Sequence, residues 1–485
     1  MSRYPISPRS VRDLITASEL DSTVEFVGFD SDLVTIEGLT QDSRSVQPGD
    51  LYCCVRGDTF DGHDFARQAV ADGAVALVVD RHIDDLPDHV AVVRVDDVRS
   101  VLGKIASCAF GAPSTSLTMV GITGTNGKTS TAAMMSAILV HAGHRVETMG
   151  TLSGVRTTPE AIDLHWHLYE CVGKGITHVV MEVSSHALAQ HRVGGVIFDV
   201  AVFTNIGRDH LDFHGTEEAY FAAKAKLFEP HQSRVGVVNI DDARGQLLTD
   251  VAPIEMVPFS LSDASDISVH VEDVSFTWRE EHIEIPIGGL FTVMNAVAAA
   301  TGASALGISM SDIVGGLKSL SPIAGRFQPV VNDMGIGVIV DYAHTPEGLE
   351  QLLATTRSVC EGRLIVVFGC GGDRDHGKRP IMGRIAADRS DVVIVTSDNP
   401  RTENPDEIIG QILSGVDTGA RHKMNVVADR AAAITSAILL AKRGDIVVIA
   451  GKGHELTQEV NGVHFSFSDV EQAHEALREK GGTSQ

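Results

Sequence analysis

Residues 121–129 read Gly-Ile-Thr-Gly-Thr-Asn-Gly-Lys-Thr, between an apolar run from Leu117 to Ile122 and a helical pattern from about Lys128 to Ala142. Glycines let successive backbone N–H groups turn toward phosphate oxygens, and a helix N-terminus adds partial positive charge. Lys128 is placed to reach β- and γ-phosphates, and the Thr129 hydroxyl to ligate Mg2+. The generic loop would have its first glycine where this chain has Ile122. The match is therefore to a variant, Gly124-Thr125-Asn126-Gly127-Lys128-Thr129, followed by Ser130.

Four other positions carry possible chemistry. Glu182 ends an apolar strand and is either a Mg2+ ligand or a strand-end charge in solvent; the adjacent Ser184-Ser185-His186 favours the ligand. His210, with Asn205 and Asp209 nearby, follows another strand end. Gly215-Thr216 reads as a helix start with Glu217 and Glu218 in its first turn. In that helix Tyr220, Phe221, Leu227 and Phe228 stand three or four residues from Lys224, so the lysine lies on a largely apolar face. It is either a snorkelling side chain or an amine whose pKa burial lowers. Arg401, in Asp398-Asn399-Pro400-Arg401, follows a buried strand and is either a bidentate carboxylate clamp or a surface charge.

Positioning these groups requires strands. From Val24 to Phe110, β-rich runs (50–55 and 75–79) flank a helical pattern from His63 to Asp72. Gly111 to Ser116 reads as a linker. Beyond it, apolar runs at 178–183, 199–204 and 235–240 alternate with helices, which implies a parallel sheet covered on both faces. Residues 321–325 read as a second boundary. Past them, strands at 336–340, 364–368, 392–396 and 446–450 alternate with helices near 346–358, 380–389, 406–414 and 430–442, the pattern of a doubly wound domain. Gly369-Cys370-Gly371-Gly372-Asp373 does not fit a dinucleotide loop.

The chain has 485 residues and a formal net charge of −25, which argues against nucleic acid or anionic membrane as partner. The six cysteines form no CxxC, their spacing resembles no zinc site, and they point to a reducing compartment. With no signal-like N-terminus and no apolar run long enough to span a bilayer, a cytoplasmic location is expected.

The phosphate loop, Glu182-Val-Ser-Ser-His-Ala-Leu188, Asn205-Ile-Gly-Arg-Asp-His-Leu-Asp212, Gly325-Arg-Phe327, Asp341-Tyr-Ala-His-Thr-Pro346 and Ser397-Asp-Asn-Pro-Arg401 together resemble the Mur ligase family over nearly the whole chain. The resemblance implies an α/β fold of three domains: an α/β UDP-binding N-terminal domain (1–113), a central P-loop-type parallel-sheet ATPase domain (114–323) and a Rossmann-like C-terminal domain (324–485). It implies an ATP-dependent ligase of peptidoglycan precursor synthesis, adding meso-diaminopimelate to UDP-MurNAc-L-Ala-D-Glu through an acyl phosphate. A sister ligase using another amino acid, or a nucleotide-dependent switch, is the alternative.

The residue roles implied are as follows. ATP would meet Gly124 to Ser130, Asn295, Arg326, Asp341 and His344, and Mg2+ would meet Thr129, Glu182, His210 and Lys224. Lys224, in Tyr220-Phe-Ala-Ala-Lys-Ala-Lys-Leu-Phe228, would be carbamylated by CO2; Lys226 misses the family spacing. The nucleotide-peptide would meet Gln41, Ser43, Asp58, Thr59, Phe60, Thr157, Thr158, Ser184, Gln190 and Arg192. Diaminopimelate would meet Arg374, Asp398, Asn399, Pro400, Arg401, Gly451 and Glu455.

Overall fold

Side chains such as Val120, Ile122, Val180, Val200 and Val202 stay dry on both faces of a strand only inside a parallel sheet layered by helices, and all five are buried in one. The structure, a computed structural model, describes residues 3–57, 60–154 and 156–482. The strands of this sheet run Glu255–Phe259, Ser233–Asn239, Phe198–Phe203, Thr118–Thr123, His178–Glu182 and Val146–Met149 from edge to edge, every pair parallel. Helices Lys128–His141 and Leu290–Ala305 cover one face, and helix Ala161–Gly173 contributes Leu164, Leu168 and Cys171 to the other.

A second sheet, built from the C-terminal part of the chain, has the order Gln328–Pro329, Gly337–Asp341, Ile446–Ala450, Leu364–Phe368, Val392–Val395 and Met424–Val426. Only its first pair is antiparallel. The N-terminal sheet runs Tyr4–Ser10, Thr35–Thr40, Asp50–Cys53, Ala74–Val79, Ala91–Arg94 and Glu25–Gly28, with a parallel centre and antiparallel edges. Among the described residues no helix is long and apolar enough to cross a membrane, and all six cysteines are free thiols.

Two local expectations are refined, and one sheet was not anticipated. The helix anticipated over His63 to Asp72 opens as a 3-10 turn, Gly62–Phe65, before helix Ala66–Ala71. Asp61 enforces the turn by accepting from His63 N at 3.0 Å and holding its ring Nδ1 at 2.6 Å. The linker at Gly111 contains a 3-10 turn, Pro113–Ser116. Strands Ala264–Val269, Val274–Trp278 and Glu281–Ile285 form an unanticipated antiparallel sheet whose middle strand, with Phe276 and Trp278, packs against helix Leu290–Ala305 and whose last strand, with Ile283, packs against helix Met310–Lys318.

Beside the C-terminal sheet, Arg430, the first residue of helix Arg430–Leu440, donates to both carboxylate oxygens of Asp469 at 2.7 and 2.8 Å and to Ala450 O at 3.0 Å. Both side chains are fully buried. Removing one partner strands the other's charge in a dry interior, at a cost of about 3–5 kcal/mol. Asp469→Ala should therefore lower the unfolding free energy of this region by that order in urea titration, whereas an exposed pair such as Arg389–Glu350 should cost under about 1 kcal/mol when broken.

Candidate active site

Strand Thr118–Thr123 delivers its chain into the phosphate loop and then into helix Lys128–His141, which is the sequence of elements that points backbone N–H groups at an anion. The loop has no slack. Gly124 at φ 149° and Gly127 at φ 86° occupy backbone conformations that side chains rarely adopt, and a Cβ on either would collide with Thr204 or Asn295. Asn205 supports the turn by accepting from Asn126 N at 2.9 Å and donating to Asn126 O at 3.1 Å.

Beneath the loop sits Glu182, 2% exposed at its strand end. Its Oε1 accepts from the Thr129 hydroxyl at 3.0 Å and from Thr151 N at 2.9 Å, and its Oε2 from the Thr151 hydroxyl at 3.1 Å. Arg326 Nη2 reaches in from the C-terminal part of the chain and donates to the same Thr129 hydroxyl at 3.0 Å, while its guanidinium stacks 4.5 Å over Tyr342. The cavity enclosed here is about 580 Å³ and is lined by Asn126 to Ser130, Thr157, Glu182, Ser184, His210, Asn295, Arg326, Asp341 and His344, among others. Residues from both sides of position 324 thus share one chamber.

At the chamber wall Asp209 is buried with His210 Nε2 at 3.3 Å, His344 Nε2 at 3.8 Å and Lys378 Nζ at 3.9 Å. Burial pushes the Asp209 carboxyl up, but His344, His210 and Lys378 outweigh it and hold the group well below the usual range. Burial brings the His210 imidazole down to about 3 despite Asp209, so the ring is neutral near pH 7 and keeps a lone pair. His210 also stands at φ 55° at the start of the short helix Leu211–His214.

Thr216 caps helix Glu217–Ala225 by accepting from Ala219 N, as the sequence anticipates, and Lys224 is 1% exposed. Its Nζ donates to Gly124 O at 2.7 Å and lies 4.5 Å over the Tyr220 ring. Lys128 Nζ donates to the same carbonyl at 2.9 Å. Burial first, and the Lys128 charge second, drive the Lys224 pKa well below its ordinary value against the pull of Asp209. Burial lowers the Lys128 pKa as well, and the 1% exposure of Lys224 excludes the snorkelling alternative.

Other anticipated residues sit elsewhere or act differently. Asp341 lines the cavity, but its carboxylate accepts from Phe327 N and Ala343 N, both at 2.7 Å, and so shapes the Arg326 turn. Thr158, Ser184, Gln190 and Arg192 form one hydrogen-bonded group in which Arg192 donates to Gln190 at 2.6 Å and pairs with buried Glu160 at 3.0 Å. Gln41, Ser43 and Phe60 follow strand C-ends of the N-terminal sheet, outside the cavity. Asp58 and Thr59 fall outside the described residues.

The carboxylate-clamp candidates gather beyond the strand ends of the C-terminal sheet. Arg401, at φ 51°, donates to Gly372 O at 2.6 Å and pairs with Glu459 at 3.3 Å; Arg374 donates to Asp373 O at 3.0 Å. Asp398 is buried, its carboxyl pushed up by burial but brought lower overall by Arg430 and Lys452. Pro400 and Gly451 complete the turn walls.

Sequence reasoning missed Thr151, Lys378 and Lys452. Lys452 is fully buried and donates to Asn399 Oδ1 at 2.9 Å and Glu455 Oε2 at 2.7 Å, where Asn399 Nδ2 also donates at 2.8 Å. Its signal was a cation three residues before Glu455. Between the sections, Arg208 Nε meets Asp375 Oδ2 at 2.8 Å.

The donor set at Thr129, Glu182 and His210 (a hydroxyl, a buried carboxylate and a neutral imidazole) fits a hard divalent cation beside a polyphosphate. This fold and site belong to a nucleotide-dependent ligase: residues 35–109 match the Mur ligase family catalytic domain, 122–303 the Mur ligase middle domain, and 325–453 the Mur ligase glutamate ligase domain. The chain belongs to the Mur ligase family. It is 44% identical over 469 residues to the UDP-N-acetylmuramoyl-L-alanyl-D-glutamate--2,6-diaminopimelate ligase of Gloeobacter violaceus, covering 92% of this chain and 95% of that one. The protein of the same name from Syntrophomonas wolfei is 42% identical over 466 residues, with 92% and 95% covered. A solved structure of a ligase of that name aligns with a TM-score of 0.67 at 32% identity, covering 98% of this chain and 100% of its own.

Gly127→Ala would place a methyl against Asn295 and force a left-handed alanine. It should cost about 1–3 kcal/mol of stability and sharply weaken ATP binding, measured by calorimetric titration, while circular dichroism stays that of the parent.

Proposed function

We propose that this enzyme joins meso-diaminopimelate to the D-Glu γ-carboxylate of UDP-MurNAc-L-Ala-D-Glu at the expense of ATP, in the cytoplasm, with small molecules as its only substrates. The observation that carries this reading is the shared chamber: the phosphate loop and Glu182 on one side, Arg326 and His344 on the other. Residues 1–113 would hold the UDP-sugar, 114–323 the ATP, and 324–485 the incoming amino acid; the three family matches fall within these bounds.

A carboxylate and an ammonium do not condense in water. In the proposed reaction a carboxylate oxygen attacks the ATP γ-phosphorus, the bond to ADP breaks, and an acyl phosphate forms. The diaminopimelate amine, having lost a proton, attacks the acyl carbon, and phosphate leaves with the former carboxylate oxygen. Lys128, the loop N–H groups and Arg326 offset the charge that develops on the phosphoryl group. Chamber walls from both sections exclude water from the acyl phosphate. Thr129, Glu182 and His210 would hold Mg2+, which supplies electrostatic stabilisation of the transferring phosphoryl group.

Lys224 suits carbamylation because the neutral amine is the form that adds CO2 and releases a proton, and burial moves the Lys224 pKa down toward that form. The modification would place an anion beside Lys128, whose Nζ donates to the same Gly124 carbonyl that Lys224 meets. Arg401 suits the distal carboxylate of diaminopimelate, which lysine lacks, and Arg374, Asn399 and Glu455 lie on the same rim.

With carboxyl-labelled nucleotide-peptide, labelled oxygen should appear in the released phosphate only when both acceptor and diaminopimelate are present; its absence removes the acyl-phosphate route. In the same assay Arg401→Ala should raise the diaminopimelate KM by about 10²-fold or more, the loss of a charge-assisted pair, with little change in the KM for ATP. Intact-protein mass spectrometry should find one added CO2 on Lys224, absent in Lys224→Ala, and activity should fall in CO2-free buffer.

A further inference from the structure

Helix Ala161–Gly173 carries His167 and Cys171 four residues apart, hence on one face. The edge strand Val146–Met149 brings Glu147 beside that face. Glu147 Oε1 lies 3.1 Å from His167 Nε2, and one donor atom from each of the three residues falls within 4.8 Å of the other two. None of the three lines the ATP chamber. We propose that Glu147, His167 and Cys171 form a second metal site, binding a divalent ion of the zinc class and clipping the edge strand to the helix.

The ligand chemistry selects the ion. Thiolate, imidazole and carboxylate are the three donor types zinc accepts, and a thiolate in particular disfavours Mg2+ and Ca2+, which are held mainly by oxygen. A thiolate and a carboxylate together carry two negative charges, which a divalent ion neutralises. Binding replaces the Cys171 S–H bond by an S–metal bond and releases one proton, with no change in oxidation state. Burial and the neighbouring Glu147 push the Cys171 thiol up to about 11, so it carries that proton near pH 7 until a metal displaces it. Cys171 is buried at the floor, 2% exposed, while His167 and Glu147 are half-exposed at the rim. The ion therefore has an entry path, and water completes a fourth position, as zinc sites with three protein ligands allow. Without the cysteine, the His167–Glu147 pair would be an ordinary surface contact worth little; the Cys171 thiol supplies the third donor within 4.8 Å.

The placement gives the clip a consequence. Glu147 precedes the segment 150–160 by three residues, and the helix bearing His167 begins where that segment ends. The segment carries Thr151, which donates twice to Glu182, and Thr158, which donates to Glu182 O at 2.9 Å. Metal at the clip would fasten both stems of this segment.

The test uses metal-stripped full-length enzyme in saturating Mg2+, so that the oxygen-rich site in the chamber is filled. Co2+ should give a thiolate-to-cobalt charge-transfer band saturating at one equivalent, release one proton per ion, and be displaced by Zn2+. Cys171→Ser should abolish the band. His167→Asn, at a half-exposed position, should keep the fold and the basal ligation rate but weaken Zn2+ binding by more than the roughly 10–100-fold that loss of a mere supporting group costs. Zn2+ should raise the melting temperature of the parent and not of His167→Asn. Absence of the band in the parent, its persistence in Cys171→Ser, or unweakened Zn2+ binding in His167→Asn overturns the site; persistence in Cys171→Ser would place the thiolate ligand elsewhere.

Discussion

A carboxylate taken out of water needs donors, and Glu182 finds them on separate segments of the chain. The Thr129 hydroxyl comes from the phosphate loop and Thr151 from the loop after the edge strand; Arg326, donating to that same hydroxyl, comes from beyond the central sheet. One strand-end side chain thereby sets the spacing of three pieces of active-site wall. The parallel sheet makes this possible, since neighbouring strands of one direction end at a common edge. The same logic places Asp341 at the equivalent edge of the C-terminal sheet, where its carboxylate fixes the turn that aims Arg326.

The backbone pays locally for this geometry. His210, Phe327, Asp373 and Arg401 are all non-glycine residues at positive φ, and each borders a functional wall. Such conformations cost on the order of 1–3 kcal/mol each and persist where surrounding contacts over-determine them. Phe327 is held by Asp341 and full burial, and Arg401 by Gly372 and by backbone bonds to Glu459 and Asn461.

What was legible in the chain follows from the range of the forces involved. Apolar runs such as 364–368 and 446–450 coincide with strands because burial on both faces demands unbroken hydrophobicity, and Thr216 announces its helix by local capping. The antiparallel sheet over 264–285 was hidden because one of its faces is wet, and Asp266, Glu281 and Glu284 break up the run. Contacts between distant segments left no periodic trace. Arg326 and Thr129 are 197 positions apart, and Lys452 reaches Asn399 across 53. The burial of Lys224 was foreshadowed by its aromatic neighbours, but the carbonyl it shares with Lys128 belongs to a loop 100 residues away.

The bridge between Arg208 and Asp375 spans the two sections that wall the chamber, and the Arg208 side chain remains about one-third exposed. A fastening in contact with solvent is screened by dissolved ions, whereas the buried Arg430–Asp469 pair is largely insulated from them. Ionic strength therefore acts selectively on the seam. The protein carries, across the seam between these sections, an ion pair that the surrounding electrolyte can weaken without softening the buried cores on either side.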